Sequence, residues 1–272
     1  MRKFRVDSQP FGLCSGGIAA LMPHPTLQSK RPPSFPGNHP WALGVFAKEP
    51  CPGLVKTRLT PPLSPEAAAY VYECSLGETV SNMAAAPWDC VLFYSGAESY
   101  FRQNFPGLPC APQSPGDLGT RLDHALATLL AAGYQAAALI GSDSPDLPRE
   151  MITNAFLSLS AASAVTIPAR DGGYVLIGEG QHYPVLFRDI PWSSSNVMAV
   201  TRNRAEQSGV VLHEIGLWED FDDAMSLKRL LARSPHSATA RLVLRDYVHL
   251  LDRETTLPDR AISVAGEDRP TD

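Results

Sequence analysis

Short apolar runs alternate along this chain with longer amphipathic ones. WALGVFA (41–47), CVLFYS (90–95), AAALIG (136–141), AVTIP (164–168), YVLIG (174–178) and VVLHEI (210–215) are almost uninterrupted apolar runs of strand length. That is the pattern of strands buried on both faces. Between them the period changes to that of a helix. Over 117–132, Leu118, Leu122, Ala125, Leu126 and Leu129 share one face, and Gly133 supplies a stop. Ser64-Pro65-Glu66 opens an earlier helix: the serine caps, proline suits the first helical position, and glutamate meets the positive end of the dipole. Further helices are predicted near 149–161, 196–208 and 223–232, with SATARLVLRDYVHLL (237–251) packing on the outside. Strands separated by helices imply an α/β fold, a mostly parallel sheet covered on both faces. In such sheets ligands bind beyond the carboxyl ends of the strands.

The flanks read differently. Residues 23–40 hold six prolines among polar residues, too little apolar surface to offset the entropy of ordering them. We read 1–40 as a flexible Pro-rich leader, 41–252 as one domain and 253–272 as a polar tail. Arg2, Lys3 and Arg5 precede a short apolar stretch faintly like a secretory signal, but that stretch is Gly-interrupted and lacks a clear small-residue cleavage site. No run approaches the roughly 18 apolar residues of a membrane span. Five cysteines at irregular spacing form no CxxC pair, which excludes a disulfide framework or zinc site as the organising device. The expectation is a cytoplasmic chain with reduced thiols. A net charge of −5 over 272 residues gives no attraction to nucleic acid or an anionic membrane. The polar partner is instead a small molecule held by a few local cations, and oligomeric state is not legible.

Several unusual stretches fall at predicted strand ends. After the first strand, Ala47-Lys48-Glu49-Pro50-Cys51-Pro52-Gly53 makes a stiff turn in which backbone N–H groups can approach a ligand, and Lys48, Lys56 and Arg58 place three cations within eleven residues. The spacing is not that of a GxxxxGK[ST] phosphate loop. It is equally the spacing of a solvated basic loop. Gly141-Ser142-Asp143-Ser144-Pro145-Asp146 follows the fourth apolar run. Asp143 there suits Mg2+ or Mn2+, hard ions that take oxygen ligands, whereas Asp146 reads as the cap of the next helix. Asp171-Gly172-Gly173-Tyr174 either leaves bare backbone for an acceptor or is simply a hairpin turn. Glu219-Asp220-Phe221-Asp222-Asp223 packs four carboxylates into five residues, a crowd that a cation would relieve, with Asp222 or Asp223 capping the next helix. Gln113 to Leu122 is a glycine-bearing helix start, a place that attracts anions or is merely capped.

Taken in order, FAKEPCPGLVKTRL (46–59), GDLGTRL (116–122), IGSDSPDL (140–147), PARDGGYVLIG (168–178), IPWSSSNV (190–197) and EDFDDAMSL (219–227) resemble one family. It is the bacterial GT-A-like transferase family named radical-SAM/selenodomain-associated transferase 1, or arsenosugar-biosynthesis-type glycosyltransferase. The resemblance spans Ala42 to Leu231, and the layout is more distantly similar to guanylyltransferases of molybdenum-cofactor and deazaflavin-cofactor synthesis. It implies a GT-A (nucleotide-diphospho-sugar transferase) Rossmann-like three-layer sandwich. It also implies donor contacts from Ala47, Lys48, Gly53, Lys56 and Arg58, with Gln113 and Gly116 near the nucleoside. Asp143 would be the principal ligand of Mg2+ or Mn2+, Asp222 a second, and Asp171, Gly172, Gly173 and Tyr174 the acceptor wall. Lys56, Arg58 and Asp143 would carry catalysis. In one place the sequence departs: the family's closing DTPEDL-like run is DDAMSL here, without the proline and one acid.

Three functions fit these residues. The first is glycosyl transfer from a nucleotide sugar to a small acceptor. The second is nucleotidyl transfer from an NTP to a phosphorylated small molecule with pyrophosphate release, and the third is nucleotide binding without turnover.

Overall fold

The structure, a computed structural model, describes residues 39–251. All but two residues of the expected leader, and the whole polar tail, lie outside them. The elements run β1 (Trp41–Lys48), α1 (Pro65–Met83), β2 (Asp89–Ser95), α2 (Glu98–Asn104), β3 (Cys110–Pro112), α3 (Leu118–Ala131), β4 (Ala136–Ile140), α4 (Arg149–Ser158), β5 (Ser163–Pro168), β6 (Tyr174–Glu179), α5 (Val197–Gln207), β7 (Val211–Glu214), α6 (Ala224–Arg233), α7 (Ala238–Asp246) and α8 (Val248–Leu251). Single 3-10 turns cover Thr57–Leu59 and Pro184–Phe187. The seven strands form one sheet in the order β3-β2-β1-β4-β6-β5-β7. Only β6 runs against its neighbours β4 and β5; the other pairings are parallel. This is an α/β Rossmann-like fold.

Alternation along the buried strands produces the layers. Leu43, Val45, Ala47, Ala138 and Ile140 face one side, where α1 and α4 supply Leu76, Val80, Ile152 and Phe156. Ala42, Val91, Phe93, Ala137 and Leu139 face the other, against Leu122, Ala125, Leu126 and Leu129 of α3. Each large apolar side chain among these contributes about 1.5–3 kcal/mol on burial. A third cluster joins Leu59, Leu63 and Val71 to Phe221, Leu227, Leu230 and Val243. It locks the segment after β1 to the segment before α6, a pairing that matters below. α7 adds Ala240 and Val243 to this cluster and packs outside α1 and α6.

Three expectations need correction, and two elements were not predicted. Leu118 is exposed, whereas its neighbour Gly119 in the same first turn of α3 is buried against Phe187 and Trp192. The helix expected over 237–251 divides at Tyr247 into α7 and α8. The short α2 and β3 have no periodic signal strong enough to be predicted. Asp146 does not cap α4, whose N-cap is Pro148 with no side-chain bond. Instead both Asp146 oxygens take the Arg233 guanidinium, at 2.7 and 3.1 Å, and Oδ2 also accepts from Ser234. That ion pair is largely buried and ties α6 to the turn after β4. Asp146→Ala removes two of the guanidinium's bonds and leaves it Glu219, so unfolding in urea should show a loss of about 1.5–3 kcal/mol; an unshifted midpoint would make the pair ornamental.

At the pole opposite the strand carboxyl ends, the fully buried Glu179 takes His182 Nδ1 at 3.0 Å, and Asp123 lies 3.3 Å from His182 Nε2. Burial raises Glu179, while the bond to Glu179 raises His182. The chain has no helix, among the described residues, long and apolar enough to cross a membrane.

Candidate active site

The carboxyl ends of β1 and β4 are neighbours in the sheet, so the loops that follow them meet. The β1 loop brings in Lys56 with left-handed backbone (φ 47, ψ 41), uncommon for a residue with a side chain. Its carbonyl accepts from Leu59 N, which begins the 3-10 turn carrying Arg58. The β4 loop brings in Asp143. Gly141 makes this possible, because a Cβ there would collide with the Asp143 carboxylate. Asp222 comes from the segment between β7 and α6. Leu59 and Phe221, both buried in the third apolar cluster, hold Arg58 and Asp222 against one another.

The result is a compact charged centre. Lys56 Nζ donates to Asp143 Oδ2 at 3.1 Å, Asp222 Oδ1 at 2.7 Å and the Phe221 carbonyl at 2.5 Å, and it lies over the Phe221 ring. Three ammonium protons meet three acceptors. Burial works to lower the Lys56 pKa, yet the Asp143 and Asp222 charges outweigh it and raise it, so the side chain stays charged. Burial would raise Asp222, but Lys56 overrides that and holds it below the usual carboxylate range. Arg58, mostly exposed, stands 3.8 Å from Asp222.

A third carboxylate, Asp220, joins this centre. Oxygens of Asp143, Asp220 and Asp222 lie within 4.8 Å of one another. Burial, then the charges of Asp143 and Asp222, push Asp220 up to about 7. Sequence reading singled out Asp222 and left Asp220 among its neighbours. The missed signal is alternation: Asp220 and Asp222 face the site, Phe221 between them enters the core, and Glu219 turns to Arg229 and Arg233. Asp223 is the N-cap of α6 and closes a capping box with Ser226, so the DDAMSL departure leaves the helix start intact.

A hard divalent cation fits this donor set, which is all carboxylate oxygen and strained by like charge. Binding it requires Asp220 to release its proton. Affinity for Mn2+ should therefore climb close to tenfold per pH unit below about 7 and level off above it. Calorimetric titrations at three pH values read this directly, and a flat profile would exclude Asp220 from the ligand set. The metal-free fold binds more protons than the unfolded chain between about 4 and 7, so this group's effect on stability worsens as pH rises through that window and is constant beyond it.

The other residues singled out from sequence lie around this centre rather than in it. Lys48 donates its backbone N–H to the Tyr72 hydroxyl, and Ala47 is buried. Gly53 has positive φ in the loop between them and Lys56. Gln113 Nε2 donates to the carbonyls of Ala47 and Phe93 while its Oε1 accepts from Arg121, and the Gly116 carbonyl accepts from Arg121 Nε. Their hydrogen bonds among the described residues are thus with strand ends and Arg121, not with the carboxylates. Asp171 to Gly173 form the hairpin between β5 and β6, with Asp171 Oδ1 accepting from Gly173 N and Gly172 at φ 91. A Cβ on Gly172 would strike the Ser195 backbone, so the glycine is needed for packing as well as for the turn. Asp171 is close enough to help raise Asp220. Tyr174 stands edge-on to Trp192.

In a Rossmann-like sheet, charged groups converging beyond the strand carboxyl ends stand where such folds bind their ligands. Residues 79–194 match the family model described as "Uncharacterized protein conserved in bacteria (DUF2064)", a span that contains Asp143 but neither Lys56 nor Asp222. Among solved structures, one from Desulfovibrio desulfuricans G20, provisionally designated a nucleotide-diphospho-sugar transferase, is 29% identical with a TM-score of 0.74, covering 79% of this chain and 98% of that one. A homologue of Mycobacterium tuberculosis Rv0371c from Mycobacterium sp. strain JC1 is 17% identical with a TM-score of 0.46, over 75% of this chain and 98% of its own. A nucleotidyl transferase from Methanothermobacter is 16% identical with a TM-score of 0.43, over 80% of this chain and all of its own. The last two are too remote to bring a function across. No curated protein matches the chain.

Proposed function

We propose that this chain is a divalent-metal-dependent transferase that takes a nucleotide sugar and passes its glycosyl group to a small acceptor. One observation carries the reading: three carboxylates from two loops and the cations Lys56 and Arg58 converge on one point beyond the strand ends. The Desulfovibrio structure supports the same class, as does the ordered resemblance to the radical-SAM/selenodomain-associated transferases.

Asp143, Asp220 and Asp222 would hold Mg2+ or Mn2+, which would neutralise donor phosphates and ease departure of the nucleoside diphosphate. Arg58, exposed and held by one long ion pair, offers its planar fork to phosphate oxygens. Lys56 serves differently at rest. It balances the acids, and it reaches a phosphate only by giving up one of its three partners. The Asp171–Tyr174 hairpin, at the same pole, would wall the acceptor side. Catalysis by such a centre rests on positioning and fixed charge.

Incubation with UDP-sugars and, separately, with NTPs in the presence of Mn2+ tests the proposal. Release of nucleoside diphosphate is the expected outcome. Pyrophosphate release from an NTP would move the chain to nucleotidyl transfer on the same site, and binding without any product would make it a nucleotide-binding protein.

A further inference from the structure

Behind the charged centre lies a buried hydroxyl network that the chemistry above does not use. Tyr72 and Ser75, one turn apart on the same face of α1, are both buried. The Tyr72 hydroxyl oxygen accepts the Lys48 backbone N–H at 2.9 Å and shares a hydrogen bond with Ser142 Oγ at 2.8 Å. Ser75 Oγ donates to the Ser142 carbonyl at 2.8 Å. Ser142 is therefore gripped by its hydroxyl and its carbonyl at once, immediately before Asp143. The Asp143 carbonyl in turn accepts the Phe221 N–H at 3.1 Å.

The location explains why such a grip is needed. β1 and β4 pair only as far as Val45 and Ile140. Beyond that register the two chains separate: β1 continues along β2 to Lys48, while β4 ends and turns. No sheet hydrogen bond fixes the end of one relative to the other at Lys48 and Ser142. The Tyr72 hydroxyl bridges this gap, with one partner on the segment leading to Lys56 and the other next to Asp143. Burial raises its pKa, so it remains a hydroxyl able to donate as well as accept.

We propose that Tyr72 is a positioning residue, which fixes the Asp143 carboxylate relative to the Lys56 loop by joining the Lys48 backbone N–H to the Ser142 hydroxyl. The inference rests on Asp143 being a metal ligand, and its test separates the two ideas. Outer groups that orient metal ligands commonly change affinity 10–100-fold when removed. Tyr72→Phe keeps the ring in the apolar cluster and deletes only the bridge, and Ser142→Ala deletes its other end should the phenylalanine variant fail to fold.

Mn2+ affinity is measured by calorimetry on the full chain and its variants, alongside circular-dichroism melting without metal. Expected is an affinity roughly 10–100-fold weaker in Tyr72→Phe or Ser142→Ala, with a cooperative melt retained. A folded variant that binds Mn2+ as the parent does would overturn the positioning role and leave the metal site standing. A parent chain that binds no Mn2+, or an Asp143→Asn variant that binds it undiminished, would remove the site itself and the inference with it.

Discussion

Replacing Asp143 with asparagine is expected to leave a folded chain whose metal-dependent transfer falls by about 10^3-fold, the scale set by removing a charge that stabilises a transition state. The fold survives because the Asp143 backbone contacts remain and Lys56 keeps Asp222 and the Phe221 carbonyl. The Asp143 carbonyl takes Phe221 N–H, and Ser142 beside it is held by Tyr72 and Ser75, none of which the substitution touches. What is lost is one oxygen that Lys56 contacts now and a cation would contact when bound. Removing this charge also relieves Asp220, whose elevated pKa owes part of its rise to Asp143, so its pKa should drop. Turnover with Mn2+ in saturating donor is the measurement. Activity equal to the parent would mean that the carboxylates gather for another reason.

The second large effect concerns the lysine. Lys56→Met keeps the length and apolar stem but takes away the ammonium that Asp143 and Asp222 share. Removing one partner of a buried ion pair costs about 3–5 kcal/mol. Here the side chain of Asp222 is 44% exposed and water screens part of the loss, so about 2–3 kcal/mol is the reasonable figure. The distinctive feature is rescue. Millimolar Mn2+ supplies the missing positive charge and should restore most of the urea midpoint in Lys56→Met, while shifting the parent less. The methionine variant should also bind Mn2+ more tightly than the parent, because the ammonium no longer competes for two ligands. Equal metal-free stability of the two proteins would show that Lys56 does not balance the acids.

Much of this site is legible in sequence, and the limits are instructive. The near-continuous apolar runs place every major strand, and because β1, β4 and β7 run in the same direction, the segments after them carry Lys56, Asp143 and the late acids to the same pole. Local chemistry reads correctly where it is local: Ser64 caps α1, and Asp223, one of two acids expected there, caps α6. It misleads where a partner comes from far along the chain. Asp146 has the spacing of a cap but pairs with Arg233, 87 residues away. The Gln113 amide likewise meets two strand carbonyls and Arg121, partners that no local pattern announces. Asp220 could have been found by asking which side chains of an extended segment flank a core phenylalanine. The Tyr72 bridge could not. A tyrosine on a helix face reads as core, and only the divergence of two strands gives its hydroxyl something to join.

Thermal melting of the parent chain, with nucleotides and nucleotide sugars present singly and with or without Mn2+, goes most directly to the central claim that these carboxylates and cations form one metal-and-phosphate centre. Mn2+ alone should raise the melting temperature. One class of nucleotide diphosphate should raise it further only when Mn2+ is present, by an amount equivalent to about 2.7 kcal/mol at a hundredfold excess over its Kd. A melting temperature indifferent to Mn2+, with every nucleotide, would contradict the account.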